Sequence, residues 1–286
     1  MENKVLEIAE KILHKKYKID CRLLGGMSNY TYVIKHCREK LTIRIPGENC
    51  ELFTNREEEK IGLDIFESLN LTNKTIYFDA NSGVKISKYI EGISLNETKE
   101  RYYDKVSKIL HTVHDSNIKC DIDYNPFARL EIYESYIKGD KNYINDEYMH
   151  TKNDFLTYRE YLESQEKVFC HNDCQPSNFI FDGKELKVVD FEFIGNNDYL
   201  YDIACYGNID FEDAIKLFDI YDDKTNINDK LKRLNLWRAF QCLQWYLVAS
   251  FKDLNGMSET LKINFKDVAI MYLNLSKKHL LEAKKF

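Results

Sequence analysis

Residues 169–193 read FCHNDCQPSNFIFDGKELKVVDFEF. Two short apolar runs, NFIF and LKVVDF, flank the polar turn DGKE, which predicts a hairpin. Around it stand His171, Asp173, Asn178 and Asp190. Pro176 and Ser177 favour an irregular loop ahead of the first strand, and a loop held between regular elements suits a rigidly mounted chemical group. The returning strand brings Asp190 beside Asn178. An amide oxygen and a carboxylate are hard oxygen donors, and Mg²⁺ takes few of these from protein while keeping water and phosphate oxygens for the rest. A second carboxylate, Asp173, stands five residues before the Asn.

Outward from this stretch, the first ninety residues read as strand-rich with one internal helix. CRLLGG and YTYVIKH are strands around the turn GGMSN, and KLTIRIPG is a third, with Leu41, Ile43 and Ile45 alternating against Thr42 and Arg44. FTNREEEKIGLDIFESLNL predicts a helix with Thr54 or Asn55 as N-cap and acidic residues in its first turn. TIYFD and GVKISKYIEG then form a hairpin around ANSG. The rest is mainly helical, apart from residues 168–194. The expected fold is therefore α+β and bilobal. A small β-rich lobe spans residues 1–90, with a hinge near Lys88–Glu91, and a larger helical lobe spans 91–286.

Of the 286 residues, 44% are apolar and 31% charged, as in a soluble globular protein, and the formal charge is −6. That balance argues against a general nucleic-acid-binding role, which favours a basic surplus. No run of about 18 apolar residues predicts a membrane span. MENKVLEIAEKILHKKY is patterned as an amphipathic helix rather than a signal peptide. The eight cysteines form no C-x-x-C pair, so they are expected to be free thiols in the reducing cytoplasm.

The Asp173-to-Asn178 spacing is that of the protein-kinase catalytic loop, H-R-D-x-x-x-x-N, and Asp190-Phe191 stands where D-F-G would begin. On that pattern Asp173 serves the acceptor hydroxyl, and Asn178 and Asp190 hold metal. Gly25 and Gly26, with Ser28 and Asn29, form a turn whose N–H groups and side chains suit phosphates. Arg44 stands where a kinase carries its phosphate-binding Lys and can act as a fixed fork of donors. Glu58, three residues before Ile61 and seven before Ile65, is expected on the buried helix face as the partner of Arg44.

FCHNDCQPSNFIF followed by VVDFEFIGNNDYLYDIA resembles the choline/ethanolamine kinase family, within the wider group of aminoglycoside phosphotransferases. The matching positions are His171, Asn172, Asp173, Asn178, Asp190, Phe191, Glu192, Phe193, Asn197, Tyr201, Asp202, Ile203 and Ala204. GGMSN, IRIPG and ISKYIEG are similar to the bacterial choline kinase branch. The resemblance, over about residues 20–250, implies a kinase-like fold. It also implies ATP and Mg²⁺ as cofactors, with ATP between the lobes and adenine against Lys88, Tyr89 and Ile90. Asp173 then orients or deprotonates the acceptor hydroxyl, Asn178 and Asp190 hold Mg²⁺, and Arg44 contacts phosphates. Gln175, Phe193, Trp245 and, more loosely, Tyr206 match positions that border the acceptor.

The implied acceptor is choline or ethanolamine. Eukaryotic choline kinases carry a second Trp where this chain has Cys242, and a Glu near the place of Ile209 and Asp210. A different cage or a different acceptor would account for both. An aminoglycoside would suit the acidic segments NDEYMHTKND, DIDY and YDDKTNINDK. A non-catalytic binding module on the same scaffold is opposed by intact Asp173, Asn178 and Asp190.

Overall fold

The computed structural model describes residues 1–23, 29–137 and 139–286. Its elements begin with α1 (Glu2–Leu13), β1 (Lys18–Leu23), β2 (Asn29–His36), β3 (Glu39–Pro46), α2 (Arg56–Ser68), β4 (Thr75–Phe78) and β5 (Lys85–Lys88). Then come β6 (Ile93–Ser94), α3 (Tyr103–His114), α4 (Pro126–Tyr136), α5 (Asp146–Leu156), α6 (Arg159–Glu163), β7 (Val168–Cys170), β8 (Phe179–Phe181) and β9 (Leu186–Val188). The chain continues through β10 (Gly195–Asn197), α7 (Leu200–Tyr206), α8 (Phe211–Tyr221), α9 (Ile227–Leu254), α10 (Met257–Leu261) and α11 (Phe265–Ala283). The α+β class expected from the sequence is what forms.

Two compact units result, Met1–Thr112 with Gln175–Ile194, and Val113–Cys174 with Gly195–Phe286. They differ from a single cut at residue 90. Residues 91–112 and 175–194 go with the amino-terminal sheet, because hairpin β8–β9 pairs through β8 with β6, Ile93 opposite Phe181. Gly92 permits that approach: a Cβ there would lie 2.5 Å from the Phe181 carbonyl oxygen.

In the first unit, five antiparallel strands run in the order β1-β2-β3-β5-β4. Alternation sorts side chains to two faces. Tyr32, Ile34, Leu41, Ile43 and Ile86 form one core with Val5 and Ala9 of α1. Arg44 points the other way, and its cross-strand partner on β5 is Lys85. Helix α2 is N-capped by Asn55, whose side chain accepts from the Glu57 and Glu58 amides. Its buried residues Glu59, Gly62, Leu63 and Phe66 follow the i, i+3, i+4, i+7 stripe.

The second unit is mainly helical. Helix α9 is buried almost all round from Arg233 to Lys252, which makes it the axis of this unit. Helix α11 packs along it, with Ser276 Oγ donating to the Ala239 carbonyl at 3.0 Å. Among the described residues, no helix is long and apolar enough to cross a membrane. All eight cysteines are free.

Candidate active site

In the second unit, β7 pairs antiparallel with β10, Cys170 opposite Gly195. The chain then turns through His171 and Asn172, and their amides both donate to the carboxylate of Asp202 on α7, at 2.9 and 2.7 Å. Asp202 is fully buried and also accepts from His114 at 3.1 Å. Burial pushes its carboxyl up, but the hydrogen bond and charge of His114, with smaller contributions from His171, outweigh this and hold it low. Asn172 takes a positive φ of 62°, tolerable for Asn. Its side chain is clamped: Nδ2 donates to the Gly195 carbonyl at 3.1 Å, and Oδ1 accepts from Asn197 at 2.8 Å. The loop is thus locked on both sides of the residue that precedes Asp173. Asp173 is itself buried, its amide donates to His171 Nδ1 at 3.2 Å, and the Cys205 thiol points at its Oδ1 from 3.9 Å.

In the first unit, Asn178 and Asp190 are brought together as expected. Phe179 pairs with Val188 in the β8–β9 hairpin, and the Val189 amide donates to the Asn178 carbonyl at 2.9 Å. Asp190 follows at once with φ of 71°, a region that non-glycine residues occupy only when their surroundings hold them there. Those surroundings include α2: Phe66 packs against Phe191 with ring centroids 4.5 Å apart and planes tilted by 33°, and a Cβ on Gly62 would lie 3.0 Å from Phe191 Cβ. Asn178 is buried and Asp190 half-exposed, and an amide oxygen and a carboxylate are both hard donors of the kind a divalent cation takes.

Arg44 is buried and pairs with Glu59, Nη1 to Oε1 at 2.5 Å and Nη2 to Oε2 at 2.8 Å. The expected partner Glu58 is a miss by one residue. It is half-buried, and its carboxylate accepts from the Asn55 side chain at 2.9 Å. The error was one of phase: Ile61, taken as buried, is 44% exposed, whereas Glu59 shares the stripe of Gly62, Leu63 and Phe66. Arg44 also reaches Glu192 and the Gly83 carbonyl, both at 3.3 Å, while its buried Nε has no hydrogen-bond partner among the described residues.

Burial pushes the Glu59 carboxyl up, but Arg44, Lys85 and Arg56 outweigh it and hold it at about 2. The folded value lies below the unfolded one of about 4.3. Stability from this group is therefore present above about pH 4.3 and is lost as pH falls from there through the folded value. In urea unfolding at pH 7, Glu59→Gln should cost about 3–5 kcal/mol, as expected when one member of a buried ion pair is removed. Glu58→Gln should stay within about 0.5 kcal/mol. Equal midpoints for the two variants would overturn the pairing.

Asn29 opens β2 and donates to Glu192 Oε1 at 2.9 Å, so its side chain is directed at a carboxylate. Gly26 and Ser28, expected in the same turn, lie outside the described residues. Lys88 ends β5 exposed, its carbonyl accepting from Asn73, and Tyr89 and Ile90 are half-buried. The Tyr89 amide donates to the Lys40 carbonyl at 3.2 Å, and the Lys40 ammonium lies 5.6 Å from the Tyr89 ring centre. Gln175 and Phe193 are half-buried residues of the first unit.

Trp245 belongs to the second unit, half-buried on α9, and stacks on Tyr272 of α11 with centroids 6.4 Å apart and planes 25° apart. Trp237 and Tyr206 are core residues. The Trp237 indole donates to buried Asp198 at 2.8 Å, and Tyr206 is fully buried. Burial raises the Tyr272 hydroxyl, and the nearby groups acting on it include Arg238, Cys242, Cys205 and Asp173. Tyr272 was missed because nothing in the sequence ties it to Trp245, 27 residues earlier. Arg56 and Glu59 were missed because charges at a helix start read as solvated.

Residues 21–262 match the family described as choline/ethanolamine kinase. LicA of Haemophilus influenzae is 27% identical over 295 residues, covering 96% of this chain and 84% of that protein. The solved structure of the choline kinase LicA from Streptococcus pneumoniae superposes with a TM-score of 0.81 at 25% identity, covering 99% of each chain. A structure of LicA in complex with AMP gives a TM-score of 0.82 at 24% identity, again covering 99% of each, and supports the fold.

Proposed function

Because the chain belongs to the choline/ethanolamine kinase family, we propose that it transfers the γ-phosphoryl group of ATP to the hydroxyl of a small amino alcohol, choline first and ethanolamine second. Its broader class, a phosphotransferase acting on an alcohol, follows from the family and its kinase relatives. The observation that carries the proposal is the buried Asp173 carboxylate on a loop whose preceding amides are both fixed by Asp202. Such a carboxylate accepts the proton of an attacking hydroxyl without having to be ordered when substrate arrives.

Asn178 and Asp190 would hold Mg²⁺, which when bound neutralises and orients nucleotide phosphates. Arg44 adds fixed positive charge near these residues, with Nε–H as its remaining donor. Gly26, Ser28 and Asn29 serve the phosphates, Lys88, Tyr89 and Ile90 the adenine. Glu59 takes the role expected of Glu58, orienting the Arg44 fork.

For the acceptor, a quaternary ammonium is attracted to aromatic faces. Trp245 and its stacked neighbour Tyr272 offer two such faces, and Asp173 is among the charges that act on Tyr272. Tyr272, stacked on Trp245, is the second aromatic residue proposed for the acceptor, since Cys242 offers no ring, and Gln175 and Phe193 stay acceptor candidates on the family resemblance alone. A polycationic aminoglycoside is less well served. The acidic segments already carry lysine partners: Lys277 on Glu147, Lys284 on Asp154 at 2.8 Å and Lys230 on Asp222 at 2.6 Å. The cytoplasm suits both ATP use and eight free thiols.

The test is Mg·ATP consumption by the purified protein with choline, ethanolamine, kanamycin or no acceptor. Stimulation by choline, lost in Trp245→Ala and Tyr272→Ala through a raised acceptor KM, is the expected result. Stimulation by kanamycin alone would keep the phosphotransfer and move the acceptor contacts to the acidic segments. No stimulation by any of them would overturn the amino-alcohol assignment.

A further inference from the structure

Arg56 is the first residue of α2, where a cation opposes the helix dipole and costs stability. It is nevertheless 9% exposed. Its Nη1 donates to Glu59 Oε2 and to Glu192 Oε1, each at 2.6 Å. Nη2 lies 3.4 Å from both Asn29 Oδ1 and Cys50 Sγ. Space for the guanidinium is kept by Gly83, where a Cβ would sit 3.0 Å from Arg56 Nε. Two carboxylates from distant parts of the sequence are therefore bridged by one nitrogen.

Those carboxylates have different attachments. Glu59 holds Arg44. Glu192 lies two residues beyond Asp190, whose positive φ has to be imposed from outside. Glu192 accepts from Asn29 at 2.9 Å, Thr54 at 3.2 Å, Arg44 at 3.3 Å and Arg56 at 2.6 Å. Lys85, whose Nζ is 3.7 Å from Glu59, also feels Asp190 and Glu192. Arg44, Arg56 and Lys85 thus surround the Glu59 and Glu192 carboxylates, and Arg56 links α2 to the segment that follows Asp190 through a 2.6 Å contact with Glu192.

We propose that Arg56 is a positioning residue that clamps Glu192 onto the Arg44–Glu59 pair and thereby sets the Asp190 turn for a divalent cation. It rests on the kinase assignment above. Groups that orient metal ligands from behind typically change metal affinity by about 10–100-fold when altered. Arg56→Lys keeps the charge but is shorter and lacks the second nitrogen, which lies 3.4 Å from Asn29 Oδ1 and Cys50 Sγ, so the fixed fork that aims Nη1 at both carboxylates is lost.

The experiment is Mg²⁺ titration of the binding of a fluorescent ATP analogue to the full chain without acceptor, with thermal unfolding alongside. Arg56→Lys and Glu192→Gln should each raise the Mg²⁺ needed for half-maximal binding by about tenfold or more. Combining them should add little further, as for groups acting through one contact. In turnover assays KM for Mg·ATP should rise while KM for the acceptor stays put, a split that general loosening of the fold would not produce. Either variant, if folded with wild-type Mg²⁺ dependence, would overturn the role of Arg56. Wild-type protein that binds no Mg-nucleotide would instead overturn the kinase assignment, and this inference with it.

Discussion

Asp173→Ala is expected to lower kcat by about 10³-fold while leaving Mg·ATP binding nearly unchanged, within the usual range for losing a positioned acid–base group. The separation of effects has a structural basis. Asp173 is held within the unit built on α7 and α9, through His171, Asn172, Asp202 and Cys205, whereas Asn178, Asp190 and Arg44 belong to the other unit. Asp173→Asn is the sharper variant. It keeps the shape and removes the proton acceptor, so single-turnover phosphate transfer should slow as much as in the alanine variant. Near-normal turnover in either variant, with Mg·ATP saturating, would show that the acceptor hydroxyl loses its proton elsewhere.

Asp190→Ala is expected to abolish Mg·ATP-dependent turnover and to remove the Mg²⁺ dependence of nucleotide binding, because one of the two oxygen ligands proposed for the metal is gone. Backbone strain has to be separated from chemistry here. Asp190 holds φ of 71°, where an alanine is strained by about 1 kcal/mol and a glycine is not. Asp190→Gly should therefore be at least as stable as Asp190→Ala in thermal unfolding and equally inactive. Calorimetry of ATP binding with and without Mg²⁺ reads the metal effect directly. Retained Mg²⁺ dependence in both variants would remove Asp190 from the metal site.

Much of this was legible because each signal was local. Leu41, Ile43 and Ile45 alternate with Thr42 and Arg44, so strand β3 and its two faces follow from a period of two. Asn178 and Asp190 flank the β8–β9 hairpin, so their approach follows from its two strands and turn. Glu58 failed for the opposite reason. Three consecutive glutamates differ only in helical phase, and the phase is set by what α2 packs against, the Phe191 and Ile194 side chains that close on Gly62.

Arg56 and Tyr272 were invisible for a related reason. An arginine after an N-cap and a tyrosine on a late amphipathic helix each have an ordinary local explanation, and only Glu192 and Trp245, far away in sequence, give them another. Local pattern was enough for the strands, the hairpin that joins Asn178 to Asp190, and the membership of the kinase family. Tertiary structure decided which glutamate meets Arg44, which aromatic faces Trp245 and what holds Asp190 in its unusual conformation. Charges and rings find their partners through space, and burial in a close-packed interior makes a single helical step the difference between an ion pair and a solvated side chain.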